Sequence, residues 1–491
     1  MAVPVIASRE GSHVRIARST AVDVPSSRCR VALAFALAAF AVACDAPAPR
    51  QQTAAAPPLR EVPIGLCEDY PEETRSFAEV ERDLALLKAA GVRVLRVSLG
   101  WDAIEPEKDR YDFAFWDEFI ERAVRQHGIT LIPYVAYTPR WNSDGSPEDF
   151  WKTPPRDVRE FEQLMRLLAE RYRGRIRSWE LWNEPDNRDY WLGTPAQYAK
   201  LLRAGSAGVR GAGGDLQVVF GGLAGHVEFL SELFDEHAAA DAVDVVNLHS
   251  YYETWHPEPL ESIPGYVTDA ADVVRRHGGR QALWMAEVGY SNFRVRDGAP
   301  AFDYEHTAEF QAVMLVRTFA LLLERPEISL IAWYELKDVR PVDAVIGDAH
   351  NRHLGVAFTD HRPKPALAAL TFTNRLFAGG FRSVDRELRV ERPSASHSEI
   401  RAFLTPGKLI VIAWLKTRAP GGRPVVARDE RRETIAISAP YAPRGKATLF
   451  DAVGRRRREL ASRSAEGATE LRLELRGGEV QVIELPIDGY F

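Results

Sequence analysis

Cysteine is scarce in this chain, positive charge is not in excess, and no apolar run reaches the length of a membrane span. Only 3 of the 491 residues are cysteine, which excludes a disulfide-stapled miniprotein. Lys and Arg number 63 against 69 Asp and Glu, a net charge of −6, and a chain without a positive field is a poor partner for nucleic acid. The 34 Gly and 31 Pro are ordinary amounts, so collagen and disordered tails are also excluded.

One apolar segment lies near the N-terminus. Arg28 and Arg30 precede the run of small apolar residues 31–43. This length suits the core of a secretory signal, whereas a membrane-spanning helix needs about 20 residues. We therefore predict a signal peptide over residues 1–43 and secretion across the inner membrane.

The predicted signal ends directly before Cys44. Small residues in front of a cysteine resemble the bacterial lipoprotein cleavage box, in which that cysteine is lipidated. The alternative is ordinary signal cleavage nearby, with Cys44 lost or unmodified. Residues 45–58 are rich in Ala, Pro and Gln, so residues 44–61 are predicted to form a flexible tether. The expected location is periplasmic or extracellular, with membrane contact only through a lipid anchor.

Between residues 62 and 378, short β-branched runs alternate with amphipathic stretches of helical period. This alternation is typical of βα units on a parallel sheet. The predicted strands begin at Val62, Val92, Ile129, Ile176, Leu216, Val243, Ala282 and Ile328. The predicted helices cover residues 77–90, 113–126, 158–172, 195–210 and 307–324. Eight such strands predict an α/β fold of the (β/α)8 barrel type. An open doubly wound sheet is less favoured because no glycine-rich phosphate turn follows the first strand.

Beyond residue 378 the apolar period changes to two. Runs such as 409–414 and 480–485 are short and separated by turn residues. This pattern predicts an all-β sandwich over residues 379–491, packed on the barrel. The basic segment 455–458 is interpreted as a charged hairpin turn rather than a site for an anionic polymer.

Two glutamates stand at the ends of predicted strands. In (β/α)8 barrels the active site forms at the C-terminal ends of the strands. Glu184 closes the fourth strand and Glu287 closes the seventh, so the two are expected to face each other across the barrel mouth. Paired carboxyl groups, one protonated and one ionised, are what cleavage of a glycosidic bond requires. Glu180 on the fourth strand is interpreted as an internal charge paired with an arginine.

Further residues in barrel order extend this pattern. They are Arg96 and Trp101 at the second strand, Asn183 beside Glu184, His249 and Tyr251 at the sixth strand, and Trp333 on the eighth. With Asn183-Glu184-Pro185 and Glu287, this set resembles the clan A glycoside hydrolases, retaining enzymes on a (β/α)8 barrel. The trailing β-sandwich makes the chain most similar to family 39. The resemblance covers residues 62 to about 377.

The resemblance implies a role for each matched residue. Glu287 would be the nucleophile, and Glu184 would be the general acid and then the general base. Arg96 would hold Glu287 ionised, and Tyr251 would donate to the same carboxylate and fix its trajectory. Asn183 would contact the 2-hydroxyl of the sugar.

Three supporting residues complete the set. His249 would orient its neighbours without transferring protons, Trp333 would floor the first sugar subsite, and Trp101 accompanies Arg96. The resemblance implies a carbohydrate substrate, no cofactor and no metal. The segment from His350 to His353 is interpreted as a solvated loop because no carboxylate spacing supports a metal site there.

The predicted function is a retaining glycoside hydrolase that cleaves O-glycosidic bonds of an envelope or extracellular polysaccharide or oligosaccharide by double displacement. The alternative is a non-catalytic carbohydrate-binding lipoprotein that keeps the barrel as a scaffold.

Overall fold

A computed structural model describes residues 58–72, 74–293, 306–340, 349–417, 429–465 and 468–488. The predicted signal peptide and Cys44 lie outside these residues. Across the described ranges, no helix has both the length and the apolarity needed to cross a membrane.

Eight parallel strands pair in chain order, and the eighth pairs with the first to close a barrel. The strands are β1 Ile64–Glu68, β2 Val94–Gly100, β3 Thr130–Ala136, β4 Ser178–Leu181, β5 Gln217–Phe220, β6 Val245–Ser250, β7 Ala282–Val288 and β8 Ile328–Trp333. They are buried along almost their whole length, because helices cover the outside of the barrel and side chains fill its interior. The predicted (β/α)8 barrel is confirmed.

Helices follow the strands of the barrel. They are α1 Phe77–Ala89, α2 Trp101–Ile104, α3 Ala114–Ile120, α4 Val158–Arg171, α5 Pro195–Gly211, α6 Val227–Asp235, α7 Ile263–Arg276, α8 Ala308–Glu324 and α9 Pro365–Phe377. The single helix predicted over 113–126 is divided, because a π-helical segment, Glu121–Gln126, follows α3. The sequence prediction did not include α6, which is only nine residues long, or α7.

The C-terminal region is built from two antiparallel sheets. One has the strand order β10 Arg389–Glu391, β13 Arg432–Ala439, β17 Ala468–Arg476 and β16 Ser462–Ala465. The other has the order β15 Arg456–Leu460, β14 Ala447–Phe450, β18 Val480–Pro486, β12 Lys408–Leu415, β11 Ser398–Thr405 and β9 Arg382–Ser383. The predicted β-sandwich is therefore confirmed, and the basic segment 455–458 is mostly strand β15 rather than a turn.

Strand β12 belongs to two hydrophobic cores. Ile410, Ile412 and Trp414 pack with the barrel helices, whereas Leu409 and Val411 pack between the two sheets. Because both faces are covered, the strand reads as a continuous apolar run instead of an alternating one. The six-stranded sheet thus lies between the barrel and the four-stranded sheet.

Polar contacts also cross from barrel to sandwich. The guanidinium of Arg317 on α8 is 1% exposed and donates to the carbonyl oxygen of Glu479 at 2.8 Å. The indole Nε1 of Trp414 donates to Oε1 of Glu261 at 2.7 Å. Since buried polar groups are costly when unpaired, these bonds fix how the two regions pack.

The last residues of the predicted tether are part of the folded body. Arg60 exchanges backbone hydrogen bonds with Phe381, both at 2.9 Å, and its guanidinium lies over the Phe381 ring. The same guanidinium donates to the carbonyls of Arg325 and Ile328. The tether prediction was therefore wrong at residues 58–61, because Arg60 caps the C-terminus of α8.

Candidate active site

A cavity of about 550 Å³ opens at the C-terminal ends of the barrel strands. Its lining residues are Asp69, Glu72, Ser98, Tyr134, Tyr137, Asn183, Glu184, Asn187, Asp189, Tyr190, Ala224, His249, Tyr251, Trp255, His256, Glu287, Tyr334, Val339 and Asn351. The wall is polar and aromatic, which suits a ligand with both hydroxyl groups and C–H faces.

Glu287 lies at the end of β7 and is held by two donors. Arg96 Nη1 on β2 donates to Glu287 Oε2 at 2.6 Å, and the Tyr251 hydroxyl donates to Oε1 at 2.6 Å. Each carboxylate oxygen thus has its own charged or hydroxyl donor, and such bonds favour the ionised form.

Glu184 follows β4 and has neutral neighbours. His249 Nδ1 lies 2.8 Å from its Oε1, and Asn187 Nδ2 donates to its Oε2 at 2.8 Å. Its backbone has a φ of 43°, and its N–H donates to the carbonyl of Gly221 at 2.6 Å. A positive φ is uncommon outside glycine, so this turn is held in place by its surroundings and aims the carboxyl into the cavity.

The two carboxyl groups approach each other closely. An oxygen of Glu184, an oxygen of Glu287 and a ring nitrogen of His249 all lie within 4.8 Å of one another. Glu184 and Glu287 are 6% and 7% exposed, and both line the cavity. Both can touch one ring atom of a bound ligand.

Burial raises the pKa of both carboxyl groups, and neighbouring donors oppose that rise at each of them. Burial raises the pKa of Glu184 to about 7. Burial also raises the pKa of Glu287, but the charge of Arg96 and the hydrogen bond from Tyr251 oppose that rise. Glu184 is therefore poised to give up a proton near neutral pH, and Glu287 has the donors that stabilise a carboxylate.

Arg96 links the centre of the barrel to this pair. Besides Glu287, its guanidinium makes two bonds of 2.8 and 2.9 Å to Glu180 and one of 2.9 Å to Oδ1 of Asn183. Glu180 is fully buried and is paired with an arginine, as the sequence predicted. The guanidinium also stacks on the ring of Tyr134, 4.3 Å from its centroid.

A comparison with models of protein families identifies the family of this chain. The model of "Glycosyl hydrolases family 39" matches residues 64–380 of this chain. The chain belongs to glycoside hydrolase family 39. The match ends three residues after α9, so it covers the whole barrel.

Solved structures share the family 39 fold over most of this chain. A family 39 glycoside hydrolase from Bacteroides cellulosilyticus WH2 has a TM-score of 0.64 at 19% identity and covers 86% of this chain and 81% of its own. A monomeric β-xylosidase from Caulobacter crescentus CB15 has a TM-score of 0.59 at 15% identity, with 88% and 98% covered. At these identities the likeness establishes the fold alone.

Curated relatives match only a segment of this family 39 chain. The β-galactosidase BbgII of Bifidobacterium bifidum is 29% identical over 138 residues, which are 24% of this chain and 19% of the relative. The β-galactosidase Bga of Halorubrum lacusprofundi is 34% identical over 103 residues, 20% of this chain and 14% of the relative. The chain thus matches less than a fifth of the length of either protein.

Two of the predicted supporting residues do not reach the family 39 cavity. Trp101 and Trp333 are both 0% exposed. Trp101 packs on Trp141 and Phe161, and Trp333 packs on Phe319. A fully buried ring cannot stack on a sugar, so the prediction that Trp333 floors a sugar subsite was wrong.

The other predicted residues are brought together. Asn183, Glu184, His249, Tyr251 and Glu287 all line the cavity, and Arg96 lies beneath them. The aromatic ring at the eighth strand belongs instead to Tyr334, the residue after Trp333, whose hydroxyl donates to Asp69 at 2.9 Å.

Several cavity residues were missed by sequence reasoning. Asp69 and Glu72 follow β1, and Asp69 also accepts a bond from the Tyr134 hydroxyl at 2.8 Å. The sequence could have indicated both residues, because they are acidic and lie shortly after a barrel strand. Gly222 carried no such signal. With its φ of 73° it lies against the His249 ring, and a Cβ there would overlap that ring.

The residues of the cavity can be examined for whether they fit a metal ion. Glu184, His249 and Glu287 are close enough to bind one ion, but Arg96 already contacts Glu287 and would repel a second cation. His350 is 4% exposed and packs against the rings of Phe293 and His306. The interpretation of 350–353 as a solvated loop was therefore wrong at His350.

Proposed function

We propose that this protein is a retaining glycoside hydrolase that cleaves O-glycosidic bonds by double displacement. The observation that carries the proposal is the approach of Glu184 and Glu287 within 4.8 Å in unlike surroundings. Retaining enzymes place the two carboxyl groups about 5 to 5.5 Å apart, whereas inverting enzymes leave room for water at about 6.5 to 9.5 Å.

In the first half of the reaction, Glu287 attacks the anomeric carbon. The glycosidic C–O bond breaks, its electron pair goes to the leaving oxygen, and Glu184 protonates that oxygen. In the second half, Glu184 takes a proton from water, and the water oxygen displaces Glu287 from the sugar. Arg96 and Tyr251 stabilise the Glu287 carboxylate before attack and after release.

Asn183 is proposed to hold the sugar. Its Oδ1 accepts from Arg96, which leaves its amide N–H groups as donors toward the cavity. A hydrogen bond to the sugar 2-hydroxyl strengthens in the transition state of glycoside hydrolysis.

The substrate is proposed to be a polysaccharide or oligosaccharide of the envelope or the extracellular matrix. The N-terminal signal pattern supports a location outside the cytoplasm. The names β-galactosidase and β-xylosidase of similar proteins make β-galactosides and β-xylosides the first substrates to test.

Mechanism-based trapping tests the proposal. A panel of activated 2-deoxy-2-fluoro glycosides should leave one member attached to the peptide that contains Glu287, seen as a mass increase. The matched Glu287→Gln variant should show no adduct. No adduct together with no hydrolysis of a broad glycan panel would instead support the carbohydrate-binding alternative.

Lipid anchoring at Cys44 is a separate proposal. Expression of the full chain with radiolabelled palmitate should label the wild type and not the Cys44→Ser variant. An unlabelled wild type that is found in the soluble fraction would support ordinary signal cleavage.

A further inference from the structure

Asn247 lies on β6 beneath the cavity and is fully buried. The pairing of β6 with β7 is irregular here, because Asn247 is opposite Trp284 while His249, two residues on, is opposite Glu287. The extra residue in β7 is a bulge, which leaves backbone groups without a ladder partner. The backbone N–H of Ala286 donates instead to Oδ1 of Asn247, at 2.9 Å.

This bond determines which way the Asn247 amide points. A backbone N–H can only donate, so the atom that faces Ala286 must be the amide oxygen. The opposite end is therefore Nδ2, which lies 2.9 Å from Oε1 of Glu180 and 3.2 Å from Nε2 of His249.

The direction of the amide in turn determines the tautomer of His249. Since Nδ2 of Asn247 carries only donors, Nε2 of His249 must present its lone pair and the ring proton must lie on Nδ1. Nδ1 faces Glu184 Oε1 at 2.8 Å and Glu287 Oε2 at 3.5 Å. A ring turned by about 180° would place carbon atoms against Glu184 and Asn247, so these two contacts select the orientation of the ring. The backbone at Gly222 also lies against the ring.

We propose that Asn247 is a positioning residue that holds His249 in the neutral, Nδ1-protonated form, so that His249 is a permanent hydrogen-bond donor to the acid/base Glu184. The inference rests on the proposed function, because it assigns a supporting role in that reaction.

The tautomer has a consequence for both half-reactions. A donor on Nδ1 stabilises the Glu184 carboxylate that forms when the proton moves to the leaving oxygen. The opposite tautomer would present a lone pair on Nδ1, which would accept the Glu184 proton and compete with the leaving oxygen for it. Burial lowers the pKa of His249 to about 4, which agrees with a ring that stays neutral while Glu184 changes charge.

The first test uses the wild-type protein and needs no substrate. In a protein labelled with ¹⁵N-histidine, the ring nitrogens report which one carries the proton. The signals that are lost in His249→Gln should show protonated Nδ1 and unprotonated Nε2 at pH 7. A ring protonated at Nε2, or at both nitrogens, would overturn the proposal whether or not any glycoside is cleaved.

The second test uses the variant Asn247→Asp, which replaces the amide donor by a hydrogen-bond acceptor. A carboxylate at this position accepts a hydrogen bond from an Nε2–H group, so the ¹⁵N signals should show Nε2 protonated. Hydrolysis of a glycoside with a poor leaving group should fall about 100-fold, the lower range of a general-acid contribution. Release of dinitrophenol from an activated glycoside should be largely retained, because that leaving group needs no proton.

A matched control is Asn374→Asp. Asn374 lies on α9 and donates from Nδ2 to the carbonyl of Ala90, far from the cavity, so this change should leave both substrates unaffected. Equal losses on both substrates in a folded Asn247→Asp protein with an unchanged tautomer would overturn the proposal. If Asn247→Asp does not fold, the wild-type spectrum alone decides the question. A wild type with the expected tautomer and no hydrolase activity would contradict the proposed function and not the assignment of the tautomer.

Discussion

The two glutamates of the cavity are equally buried but differ in what surrounds them. Glu287 accepts from a guanidinium and a tyrosine hydroxyl, whereas Glu184 accepts from an amide and a histidine ring. Burial alone would raise both pKa values alike. The comparison teaches that two identical, equally buried side chains can be distinguished by the charge of the donors around them, and the proposed roles depend on this difference.

The largest effect is expected when the Glu287 carboxylate is removed. Glu287→Ala removes the proposed nucleophile, so hydrolysis of every substrate should fall by about 10⁶-fold, the scale seen when a covalent nucleophile is deleted. The measurement is kcat/KM on activated and unactivated glycosides. Substantial remaining turnover of either class would show that another residue attacks the sugar.

The second-largest loss of hydrolysis is expected when the Glu184 carboxyl is removed. Glu184→Ala should lower hydrolysis of poor leaving groups by about 10²- to 10⁴-fold while activated aryl glycosides still form the intermediate. Added azide should restore turnover by replacing water that no longer has a base. Equal losses on good and poor leaving groups would exclude Glu184 as the acid.

Arg96→Met makes the surroundings of Glu287 more like those of Glu184. Glu180 then loses its buried partner, and breaking such a pair costs about 3 to 5 kcal/mol of unfolding free energy. The pKa of Glu287 should rise, so the acidic limb of the pH profile of kcat/KM moves to higher pH. Urea unfolding and the pH profile measure the two effects separately.

The control for Arg96→Met is the double variant Arg96→Met/Glu180→Gln. It removes the unpaired buried charge, so it should recover stability without recovering activity. Recovery of both would mean that Arg96 serves only to neutralise Glu180.

Gly222→Ala disturbs His249, which lies 2.8 Å from Glu184 and 3.5 Å from Glu287. The added Cβ overlaps the His249 ring, so activity on unactivated glycosides should fall about tenfold, less than a lost general acid. Gly174→Ala is matched, because Gly174 has the same φ of 73° with no atom within 4 Å of the added Cβ. Its effect should be limited to backbone strain of about 1 kcal/mol in thermal unfolding. Equal kinetic losses in both variants would remove the special role of position 222.

The smallest effect concerns pH in the wild type. The acid must be protonated to act, and the pKa of Glu184 is raised to about 7. Therefore kcat/KM should be constant just below pH 7 and should fall as the pH rises above it, about tenfold per unit. In Glu184→Gln, the decrease of kcat/KM above pH 7 should disappear for activated substrates. A decrease that persists would be caused by the titration of another group.

Sequence reasoning reached the barrel and the paired carboxyls because both depend on local patterns. The strands are apolar runs; Glu287 lies at the end of one of them and Glu184 shortly after another. An arginine partner for Glu180 was predicted because an internal charge in a barrel needs one, but only the structure identifies that partner as Arg96.

The remaining features depend on which way a side chain points. Trp333 and Tyr334 are adjacent, and only the structure shows that the first faces the core and the second faces the cavity. The contacts of Asn247 depend on a bulge between β6 and β7, and a bulge shifts the register without a recognisable pattern in the sequence of either strand. Gly222 matters because of a ring that is 27 residues away in the chain.

The contact of Arg60 with the end of α8 determines where the polypeptide joins the barrel. Helices of a (β/α)8 barrel end at the floor, opposite the rim where ligands enter, and Arg60 pairs there with the start of β8. The described part of the chain therefore begins at the floor and not beside the cavity. A ligand in the cavity at the rim is thus on the opposite side of the barrel from Arg60.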